Sequence, residues 1–166
     1  MTDNKQVEKI YHRAIQLFKE GITGDKLVQE SGKVETPIPI VGATLQIEGW
    51  FVGITIEKHI TGFLQLAANS QLIRYSTFQR RPGSIEGCPS AEFWLDKATI
   101  TNKVRTLAVA GETLTQPVLS YDRSPSRLAW LVKAVNPEGQ VRAIYVTGDY
   151  VYVGSDSDDS TIGGSF

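Results

Sequence analysis

Between Ser126 and Gly154 the chain reads as three short strands joined by two tight turns, and both faces of the resulting sheet are apolar. Leu128 to Val135 leads into Asn136-Pro137-Glu138-Gly139, Gln140 to Val146 follows, and Thr147-Gly148 turns the chain into Asp149 to Val153. Asn-Pro-x-Gly and Thr-Gly between apolar runs are strong short-range hairpin signals. A sheet that is apolar on both sides needs cover on both sides, so this segment cannot stand alone.

Pairing Val135 with Gln140 and Val146 with Asp149 assigns each strand residue to a face, because side chains alternate along a strand. One face then carries Leu128, Trp130, Val132, Ala134, Val141, Ala143, Tyr145, Tyr150 and Tyr152. The other carries Ala129, Leu131, Val135, Ile144, Val146, Val151 and Val153, with Lys133 and Arg142. The aliphatic face suits a packed helix. The aromatic face bears three hydroxyls and an indole N–H, each wanting a partner when buried, which suits a semi-polar contact. Trp130, Tyr145, Tyr150 and Tyr152 are therefore the candidate binding residues. The expected covers are the first half of the chain, a second copy or an outside partner.

Upstream, Val7, Ile10, Tyr11, Ala14, Leu17 and Phe18 form a helical stripe, with Asp3 placed to cap it and Gly21 to end it. Gly21 to Lys33 reads as a connector with one helical turn near Asp25 to Glu30. The period then changes: Pro37 and Pro39 mark an extended entry, Ala43 to Ile56 is β-branched and aromatic, and Gly62 to Leu66 with Leu72 to Phe78 makes another hairpin. Arg80 to Ser90, with Pro82, Gly83, Gly87 and Pro89, is the clearest break. Ile100, Val104, Leu107 and Ala108 share a second helical face ending at Gly111, and Pro117 forces extended structure before Val118. Each half thus reads as a helix followed by a β-meander, which raises internal duplication as an expectation. The expected organisation is an α+β fold with antiparallel sheet packed by helices: a first unit over 1–80, a second over 91–154, and a disordered tail over 155–166.

The run from the second helix through Thr115-Gln116-Pro117-Val118-Leu119-Ser120-Tyr121, Leu128 to Val135, Ala143-Ile144-Tyr145-Val146, Thr147-Gly148 and Asp149 to Val153 resembles the PepSY domain. Val146 stands where that family usually has an acidic residue before Thr-Gly. The resemblance covers about residues 98 to 154. It implies a helix packed on an antiparallel sheet, similar in layout to cystatin, and an inhibitory or chaperone-like module with no catalytic residues. Gly62-Phe63-Leu64-Gln65-Leu66 and Leu72-Ile73-Arg74-Tyr75 look like a degenerate second copy.

The 17 basic and 18 acidic residues of this 166-residue chain nearly cancel, so bulk charge points to no nucleic-acid partner. The local cluster Arg74, Arg80 and Arg81 reads as solvated edge charge. With one cysteine, Cys88, no intrachain disulfide forms, and the first residues lack a secretory apolar core, so a cytoplasmic location is expected. No apolar run approaches the ~20 residues needed to cross a bilayer. His12 and His59 have no motif around them, Cys88 in Glu86-Gly87-Cys88-Pro89 has no base nearby in sequence, and no phosphate loop, zinc spacing or dinucleotide fingerprint occurs. Asp156, Asp158 and Asp159 lack the glycine and glutamate spacing of a calcium loop. These features point away from an enzyme and imply no cofactor. The expected role is a noncatalytic protein-interaction or regulatory module that binds a protein partner or self-associates as a homodimer. The alternative is a small-molecule-binding or catalytic domain with a pocket between helix and curved sheet, walled by Trp50, Trp94 or Trp130.

Overall fold

The computed structural model describes residues 4–124 and 126–154. Over them the fold is α+β, and the chain divides into two compact units at Leu95/Asp96. The proposed cap Asp3, the tail 155–166 and its aspartates lie outside the described residues.

Unit 1 begins with α1 (Asn4–Lys19), whose apolar stripe buries Ile10, Ala14 and Leu17. Gly21, at φ +91, takes the left-handed conformation that ends the helix, and its N–H donates to the Phe18 carbonyl at 3.0 Å. A one-and-a-half-turn helix, α2 (Lys26–Ser31), is capped by Asp25, whose carboxylate accepts from Val28 N at 3.1 Å and from Gly83 N at 2.7 Å. β1 (Lys33–Val34) and β2 (Ile38–Val41) both run antiparallel to β3 (Ile47–Ile56) and are interrupted around Pro37, which has no N–H for a ladder. β4 (His59–Ala67) and β5 (Leu72–Thr77) complete the meander.

β3 and β4 are almost wholly buried, as their near-continuous apolar sequences require. Trp50, Val52, Ile54, Leu64 and Leu66 face the helices and form one core with Ile10, Ala14, Leu17 and Val28. The opposite face holds an aromatic layer. Phe51 stacks on Phe63 at 4.6 Å and on Trp94 at 5.5 Å, and Phe78 lies 5.8 Å from Phe63 and 5.7 Å from Trp94. Trp94 belongs to α3 (Glu92–Leu95), a single turn that this layer ties to unit 1. The expected break at 80–90 is thus internal to unit 1: Ile60 N donates to Pro89 O and Ala91 N to Lys58 O, fastening the loop to the β3–β4 turn.

Unit 2 opens with α4 (Lys97–Arg105), capped by Asp96, which accepts from Ala98 N at 3.3 Å and Thr99 Oγ1 at 2.6 Å. The helix expected to continue to Gly111 stops at Arg105. Beyond it the backbone groups find other partners, with Arg142 Nη2 donating to Leu107 O at 2.6 Å and Val109 N donating to Glu112 Oε1 at 2.7 Å. β6 (Thr113–Leu114) and β7 (Val118–Tyr121) both pair with β8 (Leu128–Val135), again with a proline, Pro117, at the interruption. β9 (Val141–Thr147) and β10 (Tyr150–Val153) follow.

The register of this meander differs from the expected one and corrects the face assignment. Asn136 pairs with Gln140, donating its N–H to the Gln140 carbonyl at 3.0 Å, and its side chain caps Glu138 N and Gln140 N at 3.0 and 2.8 Å. Gly139, at φ +84, closes a three-residue loop in which a left-handed residue is required. Val135 therefore pairs with Val141, not Gln140, a slip of one residue that exchanges the faces of β8 against β9. Trp130, Val132 and Ala134 align with Val146, Ile144 and Arg142, while Leu131, Lys133 and Val135 align with Tyr145, Ala143 and Val141. At the next turn Thr147 pairs with Tyr150, which places Tyr152 opposite Tyr145.

Both units use one pairing scheme. Val34↔Ile54 recurs as Leu114↔Ala134, and Ile38↔Phe51 as Val118↔Leu131. The run from Trp50↔Leu66 to Ile54↔Gly62 recurs from Trp130↔Val146 to Ala134↔Arg142. Each of these second-unit pairs is the first-unit pair shifted by 80 residues, as from Trp50 to Trp130, and the correspondence ends at the β8–β9 turn, where Thr55↔Ile60 is answered by Val135↔Val141. The shift also carries Pro37 onto Pro117, and the Glu35 N to Gly53 O bond onto that from Thr115 N to Lys133 O.

Candidate functional site

The corrected register splits the four candidate aromatics. Trp130 is 1% exposed on the face of Val132, Ala134, Ile144 and Val146, all fully buried. α4 packs against β8 and β9 and buries Ile100 and Val104. Trp130 is thus core. Tyr145, Tyr150 and Tyr152 come together on the opposite face with Leu131, Lys133, Val135, Val141 and Ala143.

That face is open to solvent toward its outer strands: Tyr150 is 74% and Val141 56% exposed, and Lys133 is exposed as well. The Tyr145 and Tyr152 rings stack at 5.6 Å, and Tyr145 leans along its strand toward Gly154, where an added Cβ would meet Tyr145 Cε2 at 2.5 Å. A side chain at this position would push the Tyr145 ring aside. The Tyr152 hydroxyl donates to Asp122 Oδ2 at 2.7 Å, and Arg127 Nη2 reaches the same oxygen at 3.4 Å. Burial first, then the hydrogen bond to Asp122 and its negative charge, push the Tyr152 phenol up to about 12. Burial, then the Asp122 charge, raise Tyr145 too. Both rings stay neutral over the physiological range, so the strands offer polarisable rings and hydroxyls together with the charge of Lys133, beside the Asp122–Arg127 pair at the Tyr152 hydroxyl.

The edge of unit 2 is held from the other side. The Arg142 guanidinium grips Glu112 through two contacts, Nε to Oε2 at 2.7 Å and Nη2 to Oε1 at 2.8 Å. The Arg142 hydrogen bonds, Val109 N and the Arg142 charge hold the Glu112 carboxyl down at about 2. Arg142 also fixes the end of α4 through Leu107 O, so its role is structural.

The other sequence candidates lie elsewhere. Trp50, Trp94 and Trp130 are 0%, 5% and 1% exposed, so each fills a packed layer instead of walling an open concavity. Cys88 is 7% exposed, and burial raises its thiol above the ordinary range, keeping it protonated against a smaller opposing effect of Arg80. His12 is exposed on α1 and His59 sits at the start of β4, bridged to Ser90. Of the basic cluster, Arg74 lies over the Phe63 ring at 5.3 Å and donates to Gln65 Oε1 at 2.8 Å, while Arg81 pairs with Glu86. Among the described residues no group of three or more His, Cys, Asp or Glu could hold a metal ion, and no helix is long and apolar enough to cross a membrane.

The aromatic layer of Phe51, Phe63, Phe78 and Trp94 was not foreseen from sequence. Its signal was the uninterrupted apolar run Trp50-Phe51-Val52-Gly53-Ile54, which belongs to a strand buried on both faces. No family model matches the chain, and neither a curated protein nor a solved structure matches it. The site is therefore read from its own geometry.

Proposed function

We propose that the chain is a noncatalytic protein-interaction module whose docking surface is the tyrosine face of β8, β9 and β10. One observation carries this reading. Tyr150 and Val141, 74% and 56% exposed, stand on the sheet face opposite α4, beside the stacked Tyr145 and Tyr152. A tyrosine presents a broad apolar surface and a polar tip at small entropic loss, which is why it is enriched where proteins dock. The site residues are Tyr145, Tyr150 and Tyr152, with Leu131, Lys133 and Val141 around them. Trp130 supports the sheet from beneath.

The resemblance to PepSY domains supports the same class of role, since that family implies inhibitory or chaperone-like modules built as a helix on an antiparallel meander. The pairing scheme that the two units share supports a tandem pair of such units. A cytoplasmic protein partner fits the near-neutral charge and the lone buried thiol.

A photo-crosslinking residue in place of Tyr150 tests the proposal. In extract from the source organism it gives one discrete covalent adduct of defined mass, and the same residue in place of the exposed Arg105 on α4 gives none. Sedimentation of the purified chain distinguishes a partner from a second copy. The absence of any adduct from position 150, or equal labelling from position 105, would sink the reading.

A further inference from the structure

The open face of unit 2 has a counterpart within the same chain that is already occupied. Shifted by 80 residues, Phe51, Gly53, Phe63 and Gln65 fall on Leu131, Lys133, Ala143 and Tyr145. In unit 1 a short segment after the meander covers this surface. Trp94 stacks on Phe51 at 5.5 Å, and a Cβ on Gly53 would meet Leu95 Cδ2 at 3.4 Å. The segment that supplies this cover also carries a carboxylate, the exposed Glu92, two residues before Trp94.

Among the described residues, unit 2 keeps the floor and lacks the filling. Leu131 stands for Phe51, and Ala143 for Phe63, so the second ring of the layer is replaced by a methyl group beside the Tyr145 ring. Lys133, exposed on β8, is the single charged side chain that β8, β9 and β10 present on this face, and none there is acidic. The carboxylate nearest these rings, Asp122, is already taken by the Tyr152 hydroxyl and Arg127, so the Lys133 cation on an apolar, aromatic surface selects for an anion placed beside apolar contact.

We infer that this face docks a polypeptide segment of a partner protein that presents an aromatic ring next to a carboxylate, the ring over Leu131 and Ala143 and the carboxylate at Lys133. The inference rests on the interaction-module reading and names the chemistry of its partner. Burying one ring in such a gap accounts for most of the binding, and the charge fixes orientation.

The probe is the capped hexapeptide of residues 90–95, Ser-Ala-Glu-Phe-Trp-Leu, titrated into the full chain with the methyl and ring resonances of unit 2 observed. Saturable shifts are expected at Leu131, Ala143 and Tyr145. Replacing the peptide's tryptophan by alanine weakens binding by ~10-fold or more, the behaviour of an anchor residue. Lys133→Glu weakens this peptide and strengthens one carrying lysine in place of the glutamate. Ala143→Phe closes the gap and abolishes the shifts while the chain stays folded by circular dichroism. No shift at these residues, equal binding of the alanine peptide, or a dimer that Ala143→Phe dissolves would each overturn the inference, the last by making a second copy the occupant. If position 150 still crosslinks one protein while the peptide fails to bind, the interaction module stands and the stated partner chemistry falls. Failure of both removes both.

Discussion

Replacing Trp130 and Tyr150 separately gives opposite outcomes, and the contrast follows from the one-residue register. Trp130 is 1% exposed beneath α4, beside Val132, Ile144 and Val146. Deleting such a buried ring removes its transfer free energy and leaves a cavity, so Trp130→Ala costs about 3–5 kcal/mol. At roughly 2–4 °C per kcal/mol for a chain of this size, the melting temperature falls by about 6–20 °C. Tyr150 is 74% exposed, so only about a quarter of its surface is covered. For a ring of about 200 Å² that is about 50 Å², or ~1 kcal/mol at most at 25 cal/mol per Å². Tyr150→Ser therefore shifts the midpoint by no more than about 4 °C. The assay is calorimetry together with denaturant titration by tyrosine and tryptophan fluorescence. If Trp130→Ala melts within about 1 kcal/mol of the parent, or Tyr150→Ser is the more damaging, Trp130 does not lie under the helix and the reasoning fails.

Other outcomes follow from the ion pairs and caps. The Glu112 carboxyl is held at about 2 against an ordinary 4.5, so the stability it contributes is full above pH 4.5 and is lost as pH falls toward 2. Denaturant midpoints at about pH 6, 4 and 3 should show the parent converging on Glu112→Gln as the pH drops; a constant gap would refute the assignment. Asp25→Ala removes an N-cap and orphans Gly83 N, so equilibrium unfolding should show a loss of about 2–3 kcal/mol. Gly83 N should also exchange faster in hydrogen-exchange measurements of that variant. The Tyr152 phenol, raised to about 12, favours the folded state below pH 10 and gives up that contribution as pH climbs through 12. Ultraviolet titration should find one tyrosine still protonated near pH 11, and Asp122→Asn should let it ionise earlier.

The alternation of Leu128 to Val135 and of Val141 to Val153, with turn residues between, made the hairpins legible in sequence, and the stripe Ile10, Ala14, Leu17 marked α1. The two faces of β8 to β10 were not legible, because sequence does not say whether Asn136 to Gly139 is a four-residue turn or a three-residue loop entered from Asn136. Gly139 in the left-handed region decides it, and one residue of register carries Trp130 from the candidate site to the core. Proline and glycine clustering suggested a boundary at 80–90. The division falls later because Trp94, beyond that loop, stacks on Phe51, a pairing some forty positions apart that no local periodicity encodes. Likewise Leu107 and Ala108 continue the apolar spacing of α4, but Arg142, thirty-five residues further on, takes the Leu107 carbonyl. The three tyrosines survive as a group because the β9–β10 turn preserves parity even though the pairing moved from Val146↔Asp149 to Val146↔Val151.

The most direct measurement is a set of cross-strand nuclear Overhauser contacts in unit 2. The expected result is strong contacts from the Trp130 indole to the methyls of Val146 and Ile144, and from the Leu131 methyls to the Tyr145 ring. Contacts from the Trp130 indole to Tyr145 or Tyr150 would contradict it, since they require the alternative register and leave no tyrosine face open opposite α4.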